Sequence, residues 1–153
     1  MFINHSKQSL IKSEKGIYLA NPTKEVELEA LSTLEQKGFD GVVYIGGIAE
    51  REWNEEAIKN SNAVVLWVSK PQSETPSFTR CVNFEELIST GKLLYGRPND
   101  ADRLKYIDWL YEFDMSEKPF ASMEELIDTA IAKCDEDVSE KVSSPMERRR
   151  AIN

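Results

Sequence analysis

Four short hydrophobic runs stand out along the chain: "GIYLA" at 16–20, "GVVYI" at 41–45, "AVVLWV" at 63–68 and "KLLYG" at 92–96. Apolar residues are continuous in each run rather than alternating with polar ones. Continuous runs are typical of strands that are buried on both faces of a sheet. The pattern therefore predicts four buried β-strands.

Segments with helical periodicity lie between these runs. Residues 24–37 follow Thr23, an expected N-cap, and end at Gly38, where a C-terminal glycine cap belongs. The buried side of this first helix consists of Val26, Ala30, Leu31 and Leu34. Residues 53–61 predict a shorter second helix. The alternation of strands and helices along the chain predicts a single α/β domain with a mainly parallel sheet flanked by helices, in a flavodoxin- or Rossmann-like arrangement.

Parallel sheets bind ligands at the carboxyl ends of their strands. The loops that follow the predicted strands are "NPT" at 21–23, "GGIAERE" at 46–52, "SKPQSETPSFT" at 69–79 and "RPND" at 97–100. We expect these four loops to line one crevice.

Two further helices complete the predicted domain, which we place at residues 1–136. Asn99 is a suitable N-cap for the first, and "SMEE" at 122–125 is a capping box for the second. Their apolar positions are Leu104, Ile107, Leu110 and Tyr111, and then Met123, Leu126, Ile127, Ala130 and Ile131. Residues 137–153 are charged and poor in apolar side chains, which predicts either a mobile tail or a helix that depends on a partner. The "ERRR" in this tail is either a solvated run or a contact site.

Composition narrows the classes of function. The 153 residues suit one domain, and no apolar run approaches the roughly 20 residues that a membrane helix needs. We find no signal-peptide pattern and expect a cytoplasmic protein without a membrane partner. The net charge of -8 argues against nucleic acid as a partner and favours a small molecule. The two cysteines and His5 lack metal-ligand spacing, so we expect reduced thiols, no metal and no cofactor.

The stretch "TRCVNFEELISTGKLLYGRP" at 79–98 carries the strongest candidate for chemistry. Its helical positions Phe84, Leu87 and Ile88 define a buried face. At about 100° per residue, Glu86 lies about 150° from the centre of that face and Glu85 about 105°. Glu86 is thus expected to be solvated, and Glu85 to flank the core on the crevice side. On the pattern alone, Glu85 is either an ordinary helix carboxylate or a ligand-facing one.

Three blocks of sequence resemble one family. "IYLANPT" resembles the "FLAGPT" opening of nucleoside 2-deoxyribosyltransferase-like proteins, and "EREWNEEAIKNSNAVVLWV" resembles their Trp, acid, helix and "ADVIVFW" strand. "FTRCVNFEELISTGKLLYGRPNDADRLKYID" is similar to their "TTNVEFG" helix, strand and "YGxP" tail. The similarity runs from about residue 16 to residue 131. It implies an N-glycosidic-bond enzyme acting on a nucleoside, nucleotide or related ribosyl compound by deoxyribosyl transfer or hydrolysis. It also implies a homo-oligomer, expected to be a dimer.

The resemblance assigns roles to individual residues. The nucleophile in the family's "NxE" helix matches Glu85, which would stabilise an oxocarbenium-like state and then form a covalent glycosyl-enzyme. The acid that the family places near the start of the second helix matches Asn54. An amide can hold a base but cannot protonate it. Glu55 or Glu56 would then take the role, or the substrate differs, or the activity is weak. Other departures are Asn21 in place of Gly, and Glu86 and Leu87 in place of an aromatic residue and Gly.

The remaining candidate substrate-binding residues keep two interpretations each. Trp53 is either a wall of the base pocket or a core anchor. Asn83 either binds the sugar or orients the Glu85 carboxylate, or it is a surface amide or helix-end residue. Asn21 and Thr23 lie where a hydroxyl or phosphate would bind, although Thr23 is also a plain N-cap. Ser77 and Thr79 are either an anion site or loop caps.

The alternative function is that of a catalytically degraded family member that binds a nucleotide-like ligand as a sensor or sequestering protein.

Overall fold

The computed structural model describes residues 1–47, 49–68, 84–98 and 105–142. In this part of the chain, five strands form one sheet in the order β1-β3-β2-β4-β5, and every neighbouring pair is parallel. The strands are β1 Phe2–His5, β2 Gly16–Leu19, β3 Val42–Ile45, β4 Ala63–Trp67 and β5 Leu93–Gly96. The predicted α/β fold with a parallel sheet is confirmed, and each of the four predicted strands is present.

Among the described residues, five helical segments accompany the strands: α1 Lys24–Gln36, α2 Arg51–Lys59, α3 at residues 84–89, α4 Lys105–Met115 and α5 Met123–Val142. The helix caps lie at the residues that the sequence indicated. Thr23 Oγ1 accepts a hydrogen bond from the Val26 N–H at 3.3 Å. Gly38 has a φ of 72°, which glycine adopts without a steric penalty after a helix end. Ser122 Oγ accepts from the Glu125 N–H at 3.2 Å, as expected for a capping box.

Helices cover both faces of the sheet and create two core layers. One layer joins α1 and α5 to the sheet through Val26, Ala30, Leu34, Leu126, Ile127 and Ala130. The other joins α2, α3 and α4 to it through Ala57, Phe84, Ile107 and Tyr111. In the second layer, Tyr95 of β5 makes edge-on contacts with Phe84 and Tyr111, at centroid distances of 5.3 and 5.5 Å. Because both faces are covered, the central strands are buried along their length.

Strand β1 was not predicted, and its position explains why. It lies at the edge of the sheet, where Phe2 and Ile3 are exposed and only Asn4 is buried. The Asn4 amide donates to the Ser9 carbonyl at 3.0 Å and accepts from the Ile11 N–H at 2.9 Å. These bonds fold the segment after β1 back over the sheet. An exposed edge strand of four residues has no buried apolar run for a sequence pattern to detect.

The last helix extends past the predicted domain boundary. α5 continues to Val142, so residues 137–142 of the predicted tail are helical. Asn62 donates to the Asp137 carboxylate at 2.9 Å, which ties this part of α5 to the loop before β4. Residues 143–153, like the predicted cap Asn99, lie outside the described residues. No described helix combines the length and apolar character that crossing a membrane requires.

Candidate functional site

The strand order creates a switch point between β2 and β4. After β2 the chain passes through α1 to β3 on one side, and after β4 it passes through α3 to β5 on the other. Loops that leave neighbouring strands in opposite directions open a crevice at the carboxyl ends of those strands. The first described residues beyond these ends are Ala20, Asn21 and Val68. The predicted crevice therefore has its centre between β2 and β4.

Asn21 turns the chain away from the sheet at this point. It is half-buried and has a φ of 40°, in the left-handed region that glycine favours and asparagine tolerates. The Ala20 N–H donates to the Val65 carbonyl at 2.9 Å, so the turn begins directly after the ladder between β2 and β4. The family that the chain resembles has glycine at this position, and the positive φ supplies a physical reason. Asparagine keeps the turn and adds a side-chain amide at the crevice.

Tyr18, near the carboxyl end of β2, is a candidate residue that sequence reasoning missed. Its side chain is buried, with 4% exposed, and its hydroxyl lies so close to Gly46 that a Cβ there would overlap it. Within the described residues the hydroxyl makes no hydrogen bond, and burial raises the pKa of Tyr18. The sequence signal that could have identified Tyr18 is its hydroxyl, the single polar side-chain atom in the otherwise apolar run of β2. A neutral hydroxyl at the carboxyl edge is available to a ligand.

Asn54 is fully engaged by the loop after β3. Its side-chain nitrogen donates to the Gly47 carbonyl at 2.5 Å, and its side-chain oxygen accepts from the Gly47 N–H at 3.2 Å. The amide thus satisfies both backbone groups of Gly47. A carboxylate has no hydrogen to donate to the Gly47 carbonyl when ionised. This pairing is a structural reason for an amide at the position where the family has an acid.

Trp53 also has a structural role. Its indole N–H donates to the Gln8 carbonyl at 2.9 Å, and its ring meets Tyr44 edge-on at a centroid distance of 6.2 Å. The side chain packs on the second core layer. Trp53 therefore anchors the segment after β1, in agreement with the core-anchor interpretation.

Of the four carboxylates close to Asn54 in sequence, Glu50, Glu52, Glu55 and Glu56, three have contacts that bear on its role. Glu55 pairs with Arg51 at 3.4 Å and Glu56 pairs with Lys59 at 3.5 Å, and both carboxylates are exposed on α2. Glu50 is half-buried and lies against Gly47, where an added Cβ would be 2.5 Å from a Glu50 oxygen. Glu50, which sequence reasoning did not select, is thus the carboxylate in contact with the loop that Asn54 holds.

Glu85 follows the fully buried Phe84 at the start of the described part of α3. Because α3 connects the parallel strands β4 and β5, its first residues lie toward the carboxyl edge, and Phe84 fixes α3 on the face of the sheet that Tyr18 occupies. Glu85 and Glu86 are both exposed, so exposure alone does not separate their roles. The partly buried Leu87 and Ile88 pack on the second core layer, as predicted. Ser77, Thr79 and Asn83 lie outside the described residues.

A charged cluster at the end of β5 was also missed. Arg97 forms a two-pronged ion pair with Asp108, with the closest nitrogen and oxygen 2.5 Å apart, and the Tyr95 hydroxyl donates to the same carboxylate at 2.9 Å. Hydrogen bonding to Asp108 raises the pKa of Arg97. The pKa of Tyr95 is raised mainly by burial and further by its own hydrogen bond to Asp108. The cluster borders a surface cavity of about 350 Å³ whose wall also contains Glu112, Lys118, Pro119, Phe120 and Ala121. Since Asp108 neutralises Arg97, this cavity presents mixed charge rather than a cationic pocket.

Comparison with protein-family models and with curated proteins finds no match to this chain. Within the described ranges, no three His, Cys, Asp or Glu side chains converge in a way that would hold a metal ion. The functional argument therefore depends on the carboxyl-edge geometry and on the sequence resemblance.

Proposed function

We propose that this chain is an N-glycosidic-bond enzyme that acts on a nucleoside, nucleotide or related ribosyl compound through a covalent intermediate on Glu85. The observation that supports this proposal is that Tyr18 and Phe84, the residue before Glu85, pack in the same core layer. Within the described residues the Tyr18 hydroxyl has no hydrogen-bond partner, and Phe84, which packs in the same core layer as Tyr18, directly precedes the exposed Glu85. Ligands of doubly wound folds bind at the carboxyl ends of the strands.

In the proposed reaction, a Glu85 oxygen forms a bond to the anomeric carbon as the glycosidic bond breaks. The electrons of the broken bond go to the nucleobase, which takes up a proton. Water then attacks the glycosyl-enzyme in a hydrolase, and a second base attacks it in a transferase, which returns Glu85 as a carboxylate. Asn21 and the hydroxyl of Tyr18 are suited to hold sugar hydroxyls, together with the expected contacts of Ser77, Thr79 and Asn83.

The leaving base needs a proton that Asn54 cannot supply. Asn54 is held by Gly47, while Glu55 and Glu56 pair with basic residues of α2. The half-buried Glu50 is the carboxylate closest to this loop and is the candidate donor. We also propose a homodimer, as the resemblance implies.

The decisive experiment is incubation with deoxynucleosides, ribonucleosides, their monophosphates and NAD, followed by chromatographic measurement of free base. The proposal expects free base from at least one compound, with a rate proportional to protein concentration. Absence of base from every compound would reject the enzymatic function.

A second candidate function is binding of a nucleotide-like ligand without catalysis, by a sensor or sequestering protein. The hydrogen bonds between Asn54 and Gly47 favour this second function, because the residue that matches the family's acid binds the backbone of the loop. A thermal-shift assay with the same compounds separates the two functions. A shift without base release supports the binding protein, and base release supports the enzyme.

A further inference from the structure

Exposed apolar side chains are concentrated at one edge of the sheet, on and beside strand β1. Met1, Phe2 and Ile3 are 37%, 66% and 41% exposed, and Ile11, in the segment that folds back after β1, is 40% exposed. These are four of the seven large apolar side chains that are exposed in the described part of the chain. We call these four residues the edge patch. An exposed apolar group at an unpaired strand is typical of a surface that binds another chain.

The backbone of β1 is open on its outer side. The Phe2 N–H donates to the Gly41 carbonyl at 3.0 Å, at the start of the parallel ladder with β3. Alternate residues of a strand bond to the same neighbour, so Phe2 and Asn4 direct their backbone groups toward β3. Ile3 and His5 therefore direct theirs away from the sheet, to the side on which the described chain has no further strand.

The turn after β1 closes only part of this edge. The His5 N–H donates to Gln8 Oε1 at 3.0 Å, and the His5 carbonyl accepts from the Gln8 N–H at 2.9 Å. On this side, Ile3 has no corresponding bond to any described residue. The edge is thus capped at His5 and open for pairing from Met1 to Ile3, where three members of the edge patch lie.

The open part of β1 is complementary to itself. Two copies can pair antiparallel about a two-fold axis at Phe2. Ile3 then lies opposite Met1 of the second copy in a hydrogen-bonded pair. Phe2 lies opposite Phe2 of the second copy in a non-hydrogen-bonded pair, with Cα atoms about 4.5 Å apart. All three exposed apolar side chains of this stretch gain an apolar neighbour. A register about Ile3 would instead place Met1 opposite His5, whose outward groups Gln8 already occupies.

The charge at this edge also favours a second copy. Residues 1–13 contain no acidic side chain, and their Lys and Arg content is limited to Lys7 and Lys12, in a chain whose net charge is -8. The acidic surface that would repel another copy is therefore absent from β1. The strand offers no carboxylate to a basic partner, so an apolar, uncharged strand such as β1 itself is the better fit.

We propose that two copies of this chain associate through β1, antiparallel about Phe2, and so join their two five-stranded sheets into one continuous sheet. The edge patch is the surface of this contact. It contains neither Tyr18 nor Glu85, so the association does not depend on cleavage of a glycosidic bond. It assigns a surface to the homodimer proposed above, and base release tests the enzymatic function separately.

Sedimentation equilibrium of the full-length protein measures the dissociation constant of the dimer. Phe2→Asp places two carboxylates directly opposite each other in the proposed pair, so we expect the dissociation constant to rise by about tenfold or more. Phe2 is exposed, so the urea midpoint should be retained. Leu28→Asp is the matched control, because Leu28 is an apolar residue on α1 with 57% exposure, and its dissociation constant should be unchanged.

Three results would overturn the proposal. One is a protein that remains monomeric at about 100 µM, well above the dissociation constants of most specific complexes. Another is a dimer that Phe2→Asp weakens no more than Leu28→Asp does. The third is a dimer that Phe2→Asp leaves intact, which would place the homodimer on another surface.

Cysteine cross-linking tests the register, in a Cys81→Ser background in which the remaining Cys134 is buried. Under oxidation by copper phenanthroline, Phe2→Cys should form a disulfide-linked dimer, because the paired Cα atoms lie within disulfide range. Ile3→Cys should not, because its two copies are offset along the strands and their Cα atoms lie more than about 7 Å apart. Leu28→Cys reports random collision. A stronger cross-link in Ile3→Cys or Leu28→Cys than in Phe2→Cys would overturn the pairing about Phe2.

Discussion

Asn54 and Gly47 are hydrogen-bonded in both directions, side-chain amide to backbone amide, across the loop between β3 and α2. This relationship limits the chemical role of Asn54, which matches an acid only in the sequence resemblance. An amide serves both backbone groups of Gly47, and an ionised acid serves only one of them. The hydrogen bonding of this loop therefore requires an amide at position 54.

The first prediction concerns Asn54→Asp. The carboxylate retains the bond from the Gly47 N–H but leaves the Gly47 carbonyl without its partner and brings a charge near Glu50. We expect the free energy of unfolding to fall by about 1–2 kcal/mol. Urea denaturation measures it, with the exposed Glu56→Gln on the same helix as a control that should change little. An unchanged midpoint in Asn54→Asp would show that the loop does not depend on the paired bonds.

Thr23 gives the second prediction. Its hydroxyl caps α1 by accepting from the Val26 N–H, so Thr23→Ala should lower the free energy of unfolding by about 1 kcal/mol, and Thr23→Ser should restore most of the loss. Thr33→Ala is the control, because the Thr33 hydroxyl bonds only to the Glu29 carbonyl within the helix. If Thr23→Ala retains full stability but loses ligand binding, the residue is a ligand contact rather than a cap.

The third prediction follows from the burial of Cys134. Its thiol donates weakly to the Gly16 carbonyl at 3.6 Å, and burial raises its pKa to about 12. In a Cys81→Ser variant, Cys134 should react slowly with a thiol reagent at pH 8 and rapidly after unfolding in urea. Fast labelling of the folded variant would contradict the burial of this thiol.

The same shift predicts a dependence of stability on pH. The folded state favours the neutral thiol, whereas the unfolded thiol ionises near pH 8.5. The contribution of Cys134 to stability is thus complete below about pH 8.5 and is lost as the pH rises toward the folded pKa of about 12. Urea unfolding of the unmodified protein and of Cys134→Ala at pH 7.5 and 9.5 isolates this contribution. The unmodified protein should exceed the variant in free energy of unfolding by less at pH 9.5 than at pH 7.5.

Much of the fold could be predicted because its signals are local. The buried runs at β2, β3, β4 and β5, the cap at Thr23 and the glycine at Gly38 all lie where the sequence placed them. Continuous apolar runs and cap residues are signals that involve only a few neighbouring positions, so a single sequence contains them. Edge strand β1 has no such signal, since its apolar side chains face solvent.

The site was harder to predict because it depends on pairs that are distant in sequence. The position of the Tyr18 hydroxyl is set by the register of β2 against β3, which pairs Tyr18 with Tyr44 and brings Gly46 beside the ring. The Arg97–Asp108 pair depends likewise on where α4 packs. The alternatives for Trp53 and Asn54 separated only when their partners, Gln8 and Gly47, were located in space.

Tyr18→Phe tests the role of an unbonded hydroxyl. Because the Tyr18 hydroxyl has no hydrogen-bond partner within the described residues, its removal should change the free energy of unfolding by less than about 0.5 kcal/mol while slowing base release. Tyr95→Phe is the contrasting variant, since its hydroxyl bonds to Asp108 and its removal should destabilise the fold. The crevice role of Tyr18 fails if the variant releases base at the rate of the unmodified protein.

The last prediction separates two neighbouring carboxylates. Glu85→Gln should abolish base release while leaving folding and ligand binding almost intact, whereas Glu86→Gln should change little. The amide keeps the shape of the side chain but loses the charge that stabilises an oxocarbenium ion and the oxygen that captures it. Both side chains are exposed on the same helix, so each replacement has the same small structural cost and Glu86 is a matched control.

Base-release rates and binding by calorimetry are measured for both variants on the compound that reacts fastest with the unmodified protein. If the reaction passes through Glu85, replacing this carboxylate also removes the covalent intermediate. Mass spectrometry under turnover should therefore detect a glycosyl adduct on the unmodified protein and none on Glu85→Gln. Because Glu85 and Glu86 are adjacent and similarly exposed, a purely electrostatic contribution to binding would affect both variants alike. Equal loss of base release in the two variants would therefore remove Glu85 as the nucleophile, even if the protein remains an active enzyme.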